Sequence, residues 1–319
     1  MGPTLHMRVA HPSYDSSSLV ECLRYLDARR AKTPSRKDSQ LSALEKIWFV
    51  TGASRGFGRL WTEAALKRGD RVAATARDVT TLEPLAERFG DAILPLRLDV
   101  TDRPAVADAV EQAVERFGRI DVVVNNAGYG LFGMVEELTE DELRQQMETN
   151  FFGTVWVTQA VLPVLRAQRS GRILQVTSEG GVRAYPGIGA YHASKWAVEG
   201  LSESLAQEVA SFGIHVIAVE PGPYATEFAG SRSMRTTDQH PDYDEVREAT
   251  AKEWILGDPK ATTDALLTIA DAENPPRRLV LGHTLPEIEE IYAERLRVWR
   301  EWAPITKAAF GEQVIPGAA

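Results

Sequence analysis

Tyr191 and Lys195, in the run AYHASKWAVEG, stand four residues apart and share one face of any helix that carries them. An ammonium held beside a phenol favours the phenolate, so the Tyr191 pKa is expected to fall from its ordinary range towards working pH. A phenol tuned in this way can give and take a proton. Ser178 lies upstream at the end of the strand-like run GRILQVTS, and Asn150 opens NFFG after a helix-like stretch. Nearer the start, KIWFVTGASRGFG sets an apolar strand against a glycine-rich turn. YxxxK alone is common on soluble helices. The order TGxxxGxG, NNAG, Asn, Ser, YxxxK and PG on one chain is what points to a site where a hydride and a proton move together.

Two other chemistries could use these residue types. Ser178 as a hydrolase nucleophile would need the elbow GxSxG, which VTSEG lacks, and no His is recognisably placed to activate it. Metal catalysis is no better served: the six His are scattered, HEXXH is missing, and one Cys cannot build a thiolate site. No metal is expected. His192 and His215 read as structural or solvent-facing.

The elements that must position these residues begin at Ile47. Strand-like runs IWFVT, RVAAT, ILPLRLD, IDVVVNN, RILQVTS, IHVIAVE and RLVLG alternate with helix-like stretches such as FGRLWTEAALKRG and DRPAVADAVEQAVERFG. This alternation predicts an α/β doubly wound (Rossmann) fold, a seven-stranded parallel sheet with right-handed crossovers and helices on both faces, in a single domain. Gly52, Gly56 and Gly58 follow the first strand and open a helix. Lacking Cβ atoms, they let the backbone approach a pyrophosphate, and the helix N-terminus offers it free N–H groups. The spacing GxxxGxG departs from the GxGxxG of larger dehydrogenases.

Composition narrows the partners. A net charge of −9 speaks against a nucleic-acid partner, which would require a basic face, and Cys22 as the only cysteine rules out an internal disulfide. A cytoplasmic home is the default, with no membrane span: FFGTVWVTQAVLPVL is interrupted by Gly153, Gln159 and Pro163 and reads as a buried interior helix. Residues 1–45, rich in Ser, Arg, Lys and Asp, read as a disordered extension without the apolar core of a signal peptide.

Residues 47 to about 285 resemble a short-chain dehydrogenase/reductase. The matching residues are TGASRGFG at 51–58, Asp99 and Val100, NNAG at 125–128, Asn150, Ser178, YHASK at 191–195 and PGPYAT at 221–226. The resemblance implies Tyr191 as acid and base, Ser178 polarising a substrate carbonyl, and Lys195 holding the nicotinamide ribose while depressing the Tyr191 pKa. It places Asn150 at a water in a proton relay. These roles suit carbonyl reduction, which needs a hydride to carbon, a proton to oxygen and donors aimed at the developing oxyanion. It further implies cofactor contacts from Gly52, Ser54, Arg55, Gly56, Phe57 and Gly58. Asp99 and Val100 would border the adenine, with Asn125, Ala127 and Gly128 lining the pocket beneath. Pro221, Gly222, Tyr224 and Thr226 would flank the nicotinamide.

The second strand bears on cofactor choice. RVAATAR ends in Arg77, and Arg55 sits in the glycine turn. Two guanidinium forks suit a ribose 2′-phosphate, whereas NAD enzymes of this fold usually place an acid there. NADP(H) is therefore expected over NAD(H), with Asp78, one step on, leaving an ambiguity.

Between AVEPG and RRLVLG runs a polar connection too long for a tight turn, read as a substrate lid over about 222–276. Tyr129, Leu131, Phe132, Tyr185, Tyr224 and Phe228 cluster around motif positions and favour an apolar substrate, ordinary packing being the other reading. The catalytic domain is placed at 46–285, followed by a C-terminal helix and tail at 286–319. That tail looks like the end of hydroxysteroid-dehydrogenase-like and retinol-dehydrogenase-like members. An acyl-carrier-protein ketoreductase, and a catalytically silent NADP(H) sensor or scaffold, stay open as alternatives. By resemblance the chain forms a homodimer or homotetramer through the helices around residues 134–166 and 191–213. In the second of these, Ala197, Leu201, Leu205 and Val209 are expected to face the sheet, with Trp196 elsewhere.

Overall fold

The seven apolar runs become seven strands of one parallel sheet in a computed structural model that describes residues 45–227, 234–250 and 254–311. Residues 1–44, Phe228 and residues 312–319 lie outside the described residues. The strands are β1 (Ile47–Val50), β2 (Arg71–Ala76), β3 (Ile93–Arg97), β4 (Val122–Asn125), β6 (Gly171–Val176), β7 (Ile214–Pro221) and β9 (Arg278–Leu281). Their order is β3-β2-β1-β4-β6-β7-β9, so the chain winds outward from β1, returns to β4 beside it, and winds out the other way. The reversal between β1 and β4 opens a crevice at the carboxyl ends of the strands, where ligands bind in such sheets.

Because side chains alternate across a strand, each strand feeds two cores. Trp48, Val50, Val72, Val124 and Ile217 face α1 (Gly56–Arg68) and a late helix, Thr262–Asp271, which contributes Leu266 and Ile269. Helices α3 (Arg103–Phe117), α5 (Gly153–Gln168) and α6 (Gly189–Val209) cover the opposite face. Between α1 and α3 lies α2 (Glu83–Phe89), and α4 (Glu140–Met147) precedes α5. The start of α3 is set by Asp102, whose side chain accepts from Ala105 N at 3.1 Å, and its end by Gly118 at φ 82°. Among the described residues no helix is long and apolar enough to cross a membrane.

The structure corrects four details. The run expected as a fully interior helix buries one face of α5, through Val157, Val161 and Leu165, while Trp156 and Leu162 are only half-buried. The sheet-facing stripe of α6 is rotated from the expected one: Val198 and Ser202 join Leu205 and Val209, leaving Ala197 and Leu201 half-buried. Ser202 returns its hydroxyl to Val198 O at 2.7 Å, and its small side chain allows that close approach. A second sheet, unforeseen from sequence, pairs β5 (Gly130–Phe132) in parallel with β8 (Met234–Thr236). Finally, the span read as a lid is not all lid. After α7 (Asp244–Thr250), Thr262–Asp271 forms α8, a crossover helix tied to α1 by Trp61 Nε1 donating to Thr262 Oγ1 at 2.8 Å. The chain closes with α9 (Leu285–Glu301) and α10 (Ala303–Phe310).

Candidate active site

The turn after β1 needs glycine at Gly52, with φ +66° and Ala127 Cα only 3.0 Å from where a Cβ would stand. Gly56 opens α1, and a Cβ there would meet nothing closer than 3.9 Å, so the cradle in front of it is open. No side chain caps α1 and no acid sits in its first turn, which leaves the leading N–H groups for an anion. Gly58 differs from its neighbours. A Cβ on it would lie 2.3 Å from Gly52 O and 2.5 Å from Asn126 Nδ2, so Gly58 serves helix-to-strand packing and does not line the cavity expected for it.

In NNAG the two asparagines divide. Asn125, expected to line a pocket, is buried and donates to Thr158 Oγ1 at 3.1 Å and Gln175 Oε1 at 2.8 Å, tying β4 to α5 and β6. Asn126 lines the cavity, and its Nδ2 holds Thr51 O at 3.0 Å and Gly52 O at 3.1 Å.

These elements border one cavity of about 1050 Å³, generous for a small-molecule site. Gly52, Ser54, Arg55, Gly56 and Phe57 form one wall, with Arg77, Asp99, Val100, Ala127 and Gly128 beside them. Pro221, Gly222, Tyr224 and Thr226 form another. Val100 reaches its place because residue 153 is glycine: a Cβ there would stand 2.6 Å from Val100 Cγ2. Asp78 does not line this cavity. It caps the turn at Val79–Leu82, accepting from Thr80 N at 3.1 Å and Thr80 Oγ1 at 2.7 Å.

At the centre, α6 supplies Tyr191 and Lys195, and the loop after β6 supplies Ser178. The Ser178 hydroxyl accepts from Gly180 N at 3.0 Å and donates to Pro221 O at 3.4 Å, and Ser178 and Tyr191 line the same cavity. Burial pushes the Tyr191 phenol up to about 12, against the lowering effect of Ser178, and the Glu179 charge adds to the rise. The expected depression by Lys195 is therefore not found in this chain alone. The Lys195 ammonium lies 5.7 Å from the Tyr191 ring centre and donates to Val176 O at 2.8 Å. It is itself lowered to about 8 by burial, a shift opposed by Glu199. Removing a phenolate from water outweighs a partly titrated cation at that separation.

Asn150 stands behind this group and its side chain does not line the cavity. It sits in a π turn, Glu148–Phe152, with Oδ1 accepting from Tyr129 N at 3.0 Å and Nδ2 donating to Tyr129 O at 2.9 Å and Ser194 Oγ at 3.0 Å. The side chain of Asn150 is thus engaged in pinning Tyr129. Gly128 separates it from Lys195: a Cβ there would be 3.1 Å from Asn150 Oδ1 and 3.6 Å from Lys195 Nζ.

The rest of the cavity is largely apolar. Tyr129, Phe132, Tyr185 and Tyr224 line it as expected, whereas Leu131 is buried away from it. Sequence reasoning missed Met134, Ile188, Met234, Trp254 and Leu256, which complete this part. Residues around 134 and 254 carry no motif: the pairing of β5 with β8 brings Met234 beside the first, and Trp254 arrives by packing 5.5 Å from the Tyr185 ring. His192 is structural, as expected: its Nδ1 stands 2.8 Å from Gly180 O, its Nε2 accepts from Tyr185 N at 3.2 Å, and burial lowers its pKa. Among the described residues no group of His, Cys, Asp and Glu could hold a metal.

A helix terminus open to an anion, at the switch point of a doubly wound sheet, faces a hydroxyl pair and a buried amine across one cavity. Proteins so built bind a nicotinamide dinucleotide and act on alcohols or carbonyls. The short chain dehydrogenase family profile matches residues 46–236, and the chain belongs to that family. It is similar to Oxidoreductase BOA17 of Botryotinia fuckeliana, 43% identical over 270 residues, covering 81% of this chain and 98% of the relative. It is also similar to the 3-ketodihydrosphingosine reductase of Bacteroides thetaiotaomicron, 38% identical over 265 residues, covering 81% of this chain and 93% of the relative. Among solved structures, a short-chain dehydrogenase from Streptomyces avermitilis superposes with TM-score 0.77 at 37% identity, covering 84% of this chain and 99% of that one. The chain is an NAD(P)-dependent oxidoreductase acting on the CH–OH/C=O couple.

Proposed function

We propose that the protein is an NADP(H)-dependent reductase that interconverts a ketone or aldehyde with its alcohol on an apolar substrate. The observation that carries this reading is the convergence of Ser178, Tyr191 and Lys195 on the same cavity as the glycine turn. When bound, the reduced nicotinamide supplies the hydride. Tyr191, kept protonated by its burial, gives its proton to the carbonyl oxygen, and Ser178 donates a hydrogen bond to the same developing oxyanion. Lys195, held by Val176 O, offers its remaining N–H groups to the ribose. Asn150 fixes Tyr129 and so the floor of the site.

NADP(H) is favoured because Arg55 and Arg77 line the same cavity, while the neighbouring carboxylate, Asp78, is occupied with Thr80. Comparing kcat/KM for NADPH and NADH tests this, and parity would overturn it. An apolar substrate is supported by the Tyr129, Met134, Tyr185 and Trp254 walls, and by a similar protein named for reducing a keto derivative of dihydrosphingosine. The described stretches 234–250 and 254–258 act as the lid, and the protein associates as a homodimer or homotetramer through the half-buried faces of α5 and α6, which sedimentation would measure. Turnover of NADPH against a panel of apolar ketones, aldehydes and acyl-carrier-protein thioesters separates this reading from its alternatives. Tight NADPH binding with no turnover on any of them would leave only a sensor or scaffold.

A further inference from the structure

One turn of α6 beyond Lys195 lies a carboxylate that the reaction does not use. Glu199 is buried, and it borders a second cavity of about 370 Å³ formed with Glu203, Val216, Ala218 and Arg278, whereas Lys195 borders the first. A single helical turn therefore joins the two cavities. The groups facing Glu199 come from every neighbouring element: Lys195 and Glu203 from α6, Thr177 from the end of β6, Glu220 from β7 and Arg278 from β9. The turn at Glu179–Gly181 presents only backbone, since Gly181 lies against the Glu199 side chain and Glu179 is paired with Arg183 at 2.8 Å.

Three carboxylates thus meet one guanidinium. Arg278 pairs with Glu199, with Glu203 at 2.6 Å and with Glu220 at 2.8 Å. Glu203 is mostly exposed, so full ionisation would leave the two buried carboxylates, Glu199 and Glu220, sharing one guanidinium, a costly arrangement that a bound proton relieves. Glu199 is where that proton fits. Its Oε1 is fully buried with no hydrogen-bond partner, while its other oxygen meets Arg278. Burial and the Glu220 charge push the Glu199 carboxyl up to about 7, against the lowering effect of the nearby Thr177 hydroxyl and of Arg278.

We propose that Glu199 is a positioning residue for the Tyr191–Lys195 pair: it holds a proton, and the charge it carries once that proton is lost sets how firmly Lys195 keeps its own. The role of Lys195 rests on the function proposed above; the coupling of Glu199 to it does not. The sign follows from the charges. Below about pH 6 Glu199 is neutral and contributes nothing to Lys195; above about pH 7 it is anionic and stabilises the ammonium, which burial would otherwise neutralise.

The test is a titration of the cofactor-free full chain with 13C-labelled lysine, the Lys195 signal being assigned by its loss in Lys195→Met. The wild-type signal should titrate near pH 8 with a second inflection near pH 7. In Glu199→Gln the inflection should vanish and the midpoint fall by roughly one pH unit, about tenfold in protonation constant. Glu220→Gln, remote from Lys195, should move the inflection to lower pH by removing a like charge. A midpoint unchanged in Glu199→Gln overturns the proposal, and if that variant does not fold, an inflection unmoved in Glu220→Gln does the same. In kinetics, kcat/KM of Glu199→Gln should match wild type within about twofold at pH 6 and fall behind roughly tenfold above pH 8. A purely structural defect would lower it equally at both. Loss of the kinetic difference with the titration intact would count against the role given to Lys195, and not against the coupling.

Discussion

The two halves of the cavity are built by opposite means. The dinucleotide half is backbone and strand ends: Gly52 and Gly56 at positive φ, an uncapped α1, and Asn126 bonded to Thr51 and Gly52. Its geometry is enforced by the sheet, and few side chains are free to vary. The substrate half is side chains on short connections: Phe132 on a three-residue strand, Met234 on its partner, and Trp254 beyond α7. What the sheet fixes is the position of a reaction; what the connections fix is its substrate.

That contrast can be tested by changes that strike one half and spare the other. The largest effect is expected where the halves meet. Tyr191→Phe should lower turnover by on the order of 10² to 10⁴ while NADPH affinity, read by fluorescence titration, stays near wild type. Next, Arg77→Ala should reduce kcat/KM for NADPH by roughly tenfold to a hundredfold and leave that for NADH within about twofold, since a charge-assisted bond to a phosphate is worth about 1.5–3 kcal/mol. Equal losses with both cofactors would remove Arg77 from 2′-phosphate recognition. A smaller change is expected in the other half: Trp254→Ala should raise the substrate KM about tenfold without altering the NADPH KM, because apolar contact is lost at a wall the cofactor does not touch. Smallest in activity is Thr262→Val, which strands the buried Trp61 Nε1–H. It should cost about 1–3 kcal/mol in denaturant unfolding and leave both KM values alone.

The same division explains what could be read from the sequence. Runs such as IWFV and the VVV of VVVN are apolar because strands buried on both faces have no wet side, and runs of this predominantly apolar kind mark the strands of the sheet. The glycine turn was legible because few residues besides glycine can take its φ values. In contrast, β5 and β8 are three residues each and are joined only in space, so no local period announces them. Gly58 and Asn125 share motifs with cavity-lining neighbours, and only packing distances show that they are structural. The Tyr191 pKa went the other way from expectation because four-residue spacing gives proximity to a cation but not the degree of burial, and burial won.

Asn150 grips Tyr129 by both its N–H and its C=O, Tyr129 leads directly into β5, and β5 is zipped to β8. The second sheet is therefore hung from the same post that frames the reacting centre. Any outward movement of β8 would have to unfasten a ladder anchored at that post, which ties the order of this wall to the alignment of the reacting centre.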